Sequence, residues 1–275
     1  MLDVLKVIIL GIVEGITEWL PVSSTGHLIL VENILKPSLS DSFMEMFDVV
    51  IQLGAIMAVV VLYFHKLNPF SPKKTEKQKL LTWQMWIKVA IASVPAAVIG
   101  LLFNDLLDEL FYKPLPVAIM LIIYGILFIY VEDRNKGKKP HVHSISGLTM
   151  QMLLWIGFFQ MLALIPGTSR SGATIVGALL IGVSREVAAE FTFFLAIPVM
   201  FGASLLKLIK FGFAFTGAEF GFLMLGCIVS FGVSIFAIRF LMGYIKKNDF
   251  KVFGYYRIAL GTLIILVSII KLIIG

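Results

Sequence analysis

The sequence predicts an all-α polytopic membrane protein, with six transmembrane helices and two re-entrant helical hairpins arranged as an inverted-topology repeat. Of the 275 residues, 59% are hydrophobic and only 15% are charged, whereas a soluble domain is about half apolar and a quarter charged. The apolar residues form many separate segments, which favours membrane-spanning helices over a barrel. We therefore expect a single integral membrane domain over residues 1–275.

Six of the apolar segments are each close to the ~20 residues that a helix needs to cross a bilayer. These predicted spans lie at 46–64, 86–103, 115–131, 188–209, 219–241 and 256–274. Two further apolar stretches, 4–35 and 147–183, are interrupted in the middle by proline, serine, threonine and glycine. The half-helices beside each interruption are too short to cross, so each stretch predicts a hairpin that enters and leaves on one side.

Loop charge predicts the orientation of these segments. Lysine and arginine concentrate in the loops 65–88, 132–146 and 242–255, while the 104–114 loop is acidic, with Asp105, Asp108 and Glu109, and the 32–45 loop leans acidic. Basic loops are retained in the cytoplasm. This rule places both termini outside, so the first hairpin enters from the outer face and the second from the inner face.

The same observations exclude several other classes of protein. The net charge of +6 is explained by the loop lysines, so we expect no nucleic-acid partner. The single Cys227 excludes an internal disulfide. The first apolar segment lacks a basic leading region and is interrupted by Glu14 and Glu18, so we do not expect a cleaved signal peptide.

Three crossings separate the hairpins, so the two halves, approximately 1–131 and 147–275, are expected to be inverted relative to each other. Both hairpins contain, in order, a glycine, a polar residue (Glu14 or Gln160), a proline, a hydroxyl-rich turn and another glycine. Inverted repeats with broken helices place binding sites near the middle of the membrane. Transporters use this plan, so a transporter is an alternative to an enzyme.

Two carboxylates and one arginine in the hairpins predict a buried polar site. Glu14 and Glu18 are four residues apart and share one helix face. A charge at bilayer depth costs about 2.5–3.5 kcal/mol even on a lenient scale, so we expect both to face a wet internal cavity; a solvated pair at the interface is the alternative. Arg170 is the only arginine in either hairpin and the natural counter-charge. A single structural ion pair between Arg170 and one glutamate would leave the other carboxylate without a counter-charge.

The hydroxyl-rich turns predict an anion site. One turn, Ser23 to Thr25, precedes a helical segment expected from Gly26, and the other, Thr168 to Ser171, precedes a half-helix expected at 173–182. Serine and threonine are good N-caps, and capping alone is the simpler interpretation. The free N–H groups of a helix N-terminus also suit phosphate. Two such turns together with the planar guanidinium of Arg170 favour a phosphate or carboxylate held between them.

His27 lies in the first turn of the predicted helix after Ser24. A lone membrane histidine is often a packing residue, but beside carboxylates and a hydroxyl it suits general acid–base catalysis. Together these groups suit phosphoryl transfer. Other polar residues are interpreted more simply: His141 and His143 as solvated loop residues, Glu190 as an interfacial neighbour of Arg185, and the span-end aromatics, including Tyr255 and Tyr256, as interfacial anchors rather than ligand contacts.

Four segments carry a family resemblance: EGITEWLPVSSTGH at 14–27, DVVIQLGAI at 48–56, PGTSRSGATIVGALLIGVSR at 166–185 and AAEFTFFLAIP at 188–198. Over nearly the whole chain, the sequence resembles the undecaprenyl-diphosphatases associated with bacitracin resistance. The resemblance implies an enzyme of the bacterial plasma membrane that converts undecaprenyl diphosphate to undecaprenyl phosphate, the lipid carrier for cell-wall building blocks. It implies functional roles for Glu14, Glu18, Ser23, Ser24, Thr25, His27, Ser169, Arg170 and Ser171.

The resemblance also implies a divalent cation, Mg²⁺ or Ca²⁺, which Glu14 and Glu18 can help to hold with a diphosphate. We assign Ser24 as the nucleophile, with Glu18 and His27 moving protons; a water activated by Glu18 is the alternative. The diphosphate is assigned to Arg170 and to the turn residues Ser23, Thr25, Gly26, Thr168, Ser169 and Ser171. We expect the site to open to the outer face, and a homodimer is possible.

One other class of membrane lipid phosphatase is excluded. The SSTGH segment is similar to the Ser-Gly-His element of the phosphatidate-phosphatase type. That type also needs a later Ser-Arg followed by a histidine, but no histidine follows Ser184-Arg185.

Overall fold

The computed structural model describes residues 2–212 and 215–274, without the side chains of 104, 105, 108 and 271–274. Over this range the chain is built from helices, and its one β-type contact is an isolated bridge between Val142 and Val183. The helices are α1 (Leu2–Thr17), α2 (Ser24–Leu35), α3 (Asp41–Leu62), α4 (Phe64–Leu67), α5 (Glu76–Phe111), α6 (Pro114–Asn135), α7 (Met150–Leu162), α8 (Arg170–Leu180), α9 (Arg185–Phe211), α10 (Gly217–Tyr244) and α11 (Lys251–Ile274), with a 3-10 turn at Ile145–Gly147.

Six helices of the described chain are long and apolar enough to cross a membrane, which confirms the all-α polytopic class. The candidate spans are Asp41–Leu62, Glu76–Phe103, Pro114–Asn135, Arg185–Phe211, Gly217–Tyr244 and Lys251–Ile270. Several boundaries were wrong: α5 begins at Glu76 rather than 86 and continues to Phe111, so it takes up most of the predicted 104–114 loop, and α11 begins at Lys251 rather than 256. The side chains of Asp105 and Asp108, on which the acidic character of that loop partly rests, lie outside the described side chains.

The two interrupted stretches form helix–turn–helix pairs, α1–α2 and α7–α8. Both second helices begin earlier than predicted, at Ser24 rather than Gly26 and at Arg170 rather than 173. The reason is the identity of the N-cap. Ser23 Oγ accepts from the Gly26 amide at 3.4 Å, and Ser169 Oγ accepts from the Gly172 amide at 3.2 Å. The side from which each pair enters the membrane stays a prediction.

The two turns have the same backbone geometry. Both N-cap serines have a left-handed backbone, with φ of 75° at Ser23 and 68° at Ser169. The packing of the helices corresponds as well, because α1 lies against α10 while α7 lies against α5, and α3 pairs with α9 as α6 pairs with α11. Each hairpin therefore packs on a long helix of the other half. The division at 1–131 and 147–275 and the inversion across the membrane stay predictions.

Close backbone contact holds α10 against the helices that carry the first hairpin and the first span. A Cβ atom placed on Gly54 of α3 would lie 2.1 Å from the carbonyl oxygen of Cys227, and one on Gly15 of α1 would lie 2.8 Å from that of Ser230. Such approaches are typical of membrane helices, where small residues let backbones meet. α10 thus fixes the position of α1, the helix that carries Glu14.

Replacing Gly54 by alanine should destabilise the protein, because the added methyl group forces α3 away from α10. Overpacking of this kind typically costs about 1–3 kcal/mol. The matched control is Gly232→Ala on α10, where a Cβ would meet no heavy atom within 4 Å; there the better helix propensity of alanine predicts a neutral or slightly stabilising effect of up to about 1 kcal/mol. Thermal unfolding in detergent measures both, and equal midpoints for the two variants would contradict the packing argument.

Candidate functional site

Glu18 lies in the first turn and joins the two hairpins. Its Oε2 accepts a hydrogen bond from the Ser24 hydroxyl at 2.8 Å, and its Oε1 accepts one from the Arg170 guanidinium at 2.9 Å. The side chains are only 8% and 11% exposed for Glu18 and Arg170, so the ion pair is largely shielded from solvent. Ser24 and Arg170 are the first residues of α2 and α8, so both helix N-termini meet at this carboxylate.

Arg170 is oriented by more than its ion pair. Its NH1 donates to the carbonyl oxygen of Thr192 at 2.9 Å, and its guanidinium lies 5.9 Å from the ring centroid of Trp19. Its Nε is buried and has no acceptor within residues 2–212 and 215–274 as described. The guanidinium is therefore held in place, yet it keeps donor capacity for a ligand.

Glu14 is fully buried one helical turn before Glu18, and neither of its carboxylate oxygens has a hydrogen-bond partner among the residues that the structure describes. Its charged neighbours are Glu18, Asp48 and Arg170. A buried carboxyl group without a partner is costly, so a proton or a cation is needed at this position. Among the residues that the structure describes, no group of three or more histidine, cysteine or acidic side chains is arranged to hold a metal ion.

Free backbone amides surround the meeting point of the helices. Over the described residues, no acceptor bonds the amide N–H groups of Ser24, Thr25, Arg170 and Ser171, as expected for the first turn of a helix. The Gly26 amide is not free, because it is bonded to Ser23. Oriented amides at two helix N-termini form an anion-binding arrangement.

Some hydroxyl groups of the second turn form hydrogen bonds that hold the turn together, and another is available to a ligand. Ser171 Oγ donates to the carbonyl oxygen of Glu18 at 3.1 Å and so ties the second turn to the first. Ser169 Oγ lies 3.2 Å from Ser171 Oγ. Thr168 Oγ1 is buried and has no hydrogen-bond partner in the described part of the chain. Thr168 is therefore the hydroxyl in this turn that remains free to bind a ligand.

His27 is turned toward α11 rather than toward the carboxylates. Its Nδ1 lies 2.7 Å from the carbonyl oxygen of Ser23, and its Nε2 lies 2.6 Å from the hydroxyl of Tyr256. A carbonyl only accepts, so Nδ1 carries a proton, and Tyr256 donates to Nε2 when the ring is neutral. Sequence reasoning missed this contact of Tyr256, and the interpretation of Tyr256 as an interfacial anchor rather than a ligand contact stays a prediction. Over the described residues, no hydrogen bond joins His27 to Ser24, Glu14 or Glu18.

Sequence reasoning missed Arg257, which is completely buried beneath both turns. Its NH2 donates to the carbonyl oxygens of Gly167 and Thr168, both at 2.8 Å, and its NH1 donates to that of Pro21 at 3.2 Å. A signal for it existed, because Arg257 falls inside the predicted 256–274 span. An ionisable residue at that depth is expected to be functional.

The residues interpreted as peripheral lie away from the turns. Glu190 pairs with Lys66 at 2.7 Å, while Arg185 forms a two-bond pair with Glu132 at 2.9 and 2.5 Å. His141 and His143 are exposed beside the basic 132–146 segment. These contacts stabilise the packing of the helix ends and do not contribute to the site.

The fold and the site define a class: an integral membrane protein in which two broken helices bring a hydroxyl, a carboxylate and a guanidinium together in a buried site. The model of the family described as Bacitracin resistance protein BacA matches residues 7–263, and the chain belongs to this family. The resemblance inferred from the motifs is thereby confirmed.

Relatives from several bacteria match over nearly their full lengths. A protein of Acetivibrio thermocellus named undecaprenyl-diphosphatase is 65% identical over 266 residues, which cover 97% of this chain and 98% of the relative. A protein with the same name from Desulfitobacterium hafniense is 60% identical, and the match covers 100% of this chain and 99% of the relative. Another from Enterococcus faecalis is 63% identical, and the match covers 94% of this chain and 95% of the relative.

Proposed function

We propose that the protein is an undecaprenyl-diphosphatase, an integral membrane hydrolase that releases inorganic phosphate and undecaprenyl phosphate from undecaprenyl diphosphate. This reaction recycles the lipid carrier for cell-wall synthesis, and family membership connects it with bacitracin resistance. The names of the relatives favour this activity over a transporter. The structural observation that carries the proposal is the Glu18 carboxylate, hydrogen-bonded to a hydroxyl on one side and to a guanidinium on the other.

The diphosphate is bound at the two helix N-termini. Arg170 supplies a planar cation, which matches the geometry of phosphate oxygens. The free amides of Ser24, Thr25, Arg170 and Ser171 supply further donors, and the unpartnered hydroxyl of Thr168 supplies another. Donors fixed before the substrate arrives stabilise the charge that develops during phosphoryl transfer.

The chemical step starts at Ser24. Its Oγ attacks the terminal phosphorus while its proton passes to Glu18 Oε2, to which the hydroxyl is already hydrogen-bonded. The bond from that phosphorus to the bridging oxygen breaks, and undecaprenyl phosphate leaves. Water then hydrolyses the phosphoserine to inorganic phosphate. In the alternative route, Glu18 activates a water that attacks directly, and Ser24 only orients it. His27 can move a proton only through Nε2, and only by releasing the Tyr256 hydroxyl, since Nδ1 is bonded to the Ser23 carbonyl.

We further propose that a divalent cation, Mg²⁺ or Ca²⁺, supports the reaction by neutralising phosphate charge. Glu14 is the residue that fits, because both of its oxygens are buried and unpartnered. Glu18 would have to share its oxygens with the cation, because Ser24 and Arg170 each already donate a hydrogen bond to one of them. Phosphate release that is unchanged after removal of divalent cations by a chelator would contradict this part of the proposal.

The six apolar helices make this a multi-pass membrane protein; we propose that it lies in the plasma membrane with the site open to the outer face. The lysine-rich segments support this orientation, since basic loops are retained inside. The polyprenyl tail would leave sideways into the lipid while the diphosphate lies among the turns.

The purified protein in detergent should release inorganic phosphate from undecaprenyl diphosphate, and Arg170→Ala should lower kcat/KM about 100-fold or more because a fixed donor to the developing charge is lost. Arg170→Lys should recover little, since a point charge replaces a planar fork. Arg239→Ala, on the exposed surface of α10, is the matched control and should retain activity. Near-normal turnover in both Arg170 variants would remove Arg170 from the site, whereas a wild-type protein that releases no phosphate would favour the transporter.

Ser24→Ala should lower kcat by roughly 10⁴-fold or more if Ser24 is the nucleophile, because loss of a nucleophile is among the largest single-residue effects. Acid quenching of the wild type during turnover should then trap a phosphoserine, detected by mass spectrometry at this residue. Ser268→Ala, whose hydroxyl only bonds the Ile264 carbonyl within α11, should behave as wild type. Substantial activity in Ser24→Ala without a trapped intermediate would establish attack by water.

A cysteine at position 25 should be labelled from outside intact cells by a membrane-impermeant thiol reagent. The experiment uses a Cys227→Ala background, which removes the chain's single cysteine. Thr25→Cys lies in the half-buried start of α2, and a diphosphate analogue should block its labelling. Lys138→Cys in the exposed basic segment is the opposite control and should react only in inverted vesicles. The reverse pattern would overturn the orientation and the side of access together.

A further inference from the structure

Arg257 is a buried cation without a carboxylate partner in the described part of the chain. It lies six residues after the start of α11 at Lys251 and is fully buried. Its charge is balanced by backbone dipoles and an aromatic face, because its guanidinium also lies 5.7 Å from the ring centroid of Tyr124. Removing a charge from water is expensive unless good hydrogen bonds replace the water. The benefit of burying the Arg257 guanidinium must therefore lie in the hydrogen bonds that it donates to its carbonyl acceptors.

Those acceptors belong to three segments that are far apart in the sequence. NH2 donates to Gly167 and Thr168 in the second turn, and NH1 donates to Pro21 in the first turn. Nε faces the carbonyl oxygen of Leu121 in α6 at 3.4 Å. One planar group therefore contacts both turns and the helix beneath them.

The contacts fix the peptide plane directly before the Ser169 N-cap and the peptide plane between Pro21 and Val22, one residue earlier than the corresponding plane before Ser23. In a trans peptide unit the carbonyl and the following N–H point in opposite directions. By holding the Thr168 carbonyl toward α11, Arg257 turns the Ser169 amide away from α11, and the bond to the Pro21 carbonyl does the same one residue before Ser23. The left-handed backbone of Ser169 is then supported from below, which matters because such conformations are strained in residues other than glycine.

The position of the Arg257 charge is electrostatically unfavourable for the stability of the fold. It lies beneath the N-termini of α2 and α8, which carry partial positive charge, and the cationic side chain of Arg170 begins α8. An anion bound among these groups would relieve the repulsion. The arrangement thus favours the state in which a diphosphate is present.

We propose that Arg257 is a positioning residue that locks the two turns into one arrangement, so that Ser24 and Arg170 meet at Glu18. The inference rests on the proposed phosphatase function for its kinetic consequence but not for its structural one. A planar fork is required, because a single ammonium group cannot reach carbonyls on both turns in these directions.

Arg257→Lys and Arg257→Gln should each lower kcat/KM about 100-fold, since misplacement of catalytic groups by about 1 Å has effects of this size. Thermal unfolding is measured in parallel, so that activity is expressed per folded protein. The matched control is Arg185→Lys, which disturbs the ion pair between the half-exposed Arg185 and the buried Glu132, away from the turns. It should lose stability and keep its kcat/KM per folded protein. An Arg257→Lys protein with wild-type kcat/KM would overturn the proposal.

A second measurement is independent of catalysis. Spin labels at Ile34→Cys on α2 and Met150→Cys on α7, both exposed, report the distance between the hairpins in a Cys227→Ala background. The distribution should be narrow with Arg257, broad in both Arg257 variants and narrow in Arg185→Lys. If the wild type released no phosphate, the phosphatase proposal would fail while this result still decided the role of Arg257. A narrow distribution in the variants would refute the locking role.

A milder variant covers the case in which neither Arg257 variant folds. A methyl group on Gly172 would lie 3.0 Å from Arg257 NH1 and 3.3 Å from Ser169 Cβ. Gly172→Ala therefore shifts the guanidinium without removing the charge. We expect a several-fold lower kcat/KM and a broadened spin-label distance with little loss of stability. A normal kcat/KM together with a narrow distance would contradict the proposal.

Discussion

The buried ion pair between Glu18 and Arg170 is the constraint on which the rest of the structure depends. Each charge alone would be prohibitively costly at membrane depth, and each comes from a different half of the chain. The two can neutralise each other only if both helices are broken at the same level and both breaks point inward. The close packing of α10 on α1 and of α5 on α7 meets that requirement by holding each hairpin against the opposite half.

The turns of the two halves have the same backbone geometry but carry different side chains. Both second half-helices begin after a left-handed serine that caps the glycine amide three residues later. At the next position, however, one turn carries Ser24 and the other carries Arg170. Similarly, the buried Glu14 of α1 corresponds to Gln160 of α7, which donates to the Ala92 carbonyl. The repeated geometry provides two helix ends with free amides, and in the proposed mechanism the different residues at them give attack to one half and charge stabilisation to the other.

Much of this arrangement could be predicted from local sequence. Span lengths, the interruptions at Pro21 and Pro166 and the role of Arg170 as counter-charge follow from hydropathy and from the cost of burying charge. Helix starts were less accurate, because which of several adjacent hydroxyls becomes the cap depends on a backbone φ that composition does not reveal. The length of α5 was misjudged since acidic residues at a helix end resemble a loop. The contacts of Arg257 and Tyr256 were missed because their partners lie 89 to 236 residues away in the sequence. Only the folded packing of α11 brings these side chains to the site.

The clamp formed by Arg257 has a consequence for how this scaffold can move. Carriers with broken-helix repeats expose a central site to each side in turn by rocking one half against the other. In this protein, rocking would pull the Pro21 carbonyl away from those of Gly167 and Thr168, and would strand a guanidinium in an apolar interior without acceptors. The proposed lock would thereby hold the architecture of an alternating-access carrier in a single conformation, and the scaffold that a carrier uses for transport would serve instead as a rigid frame for chemistry.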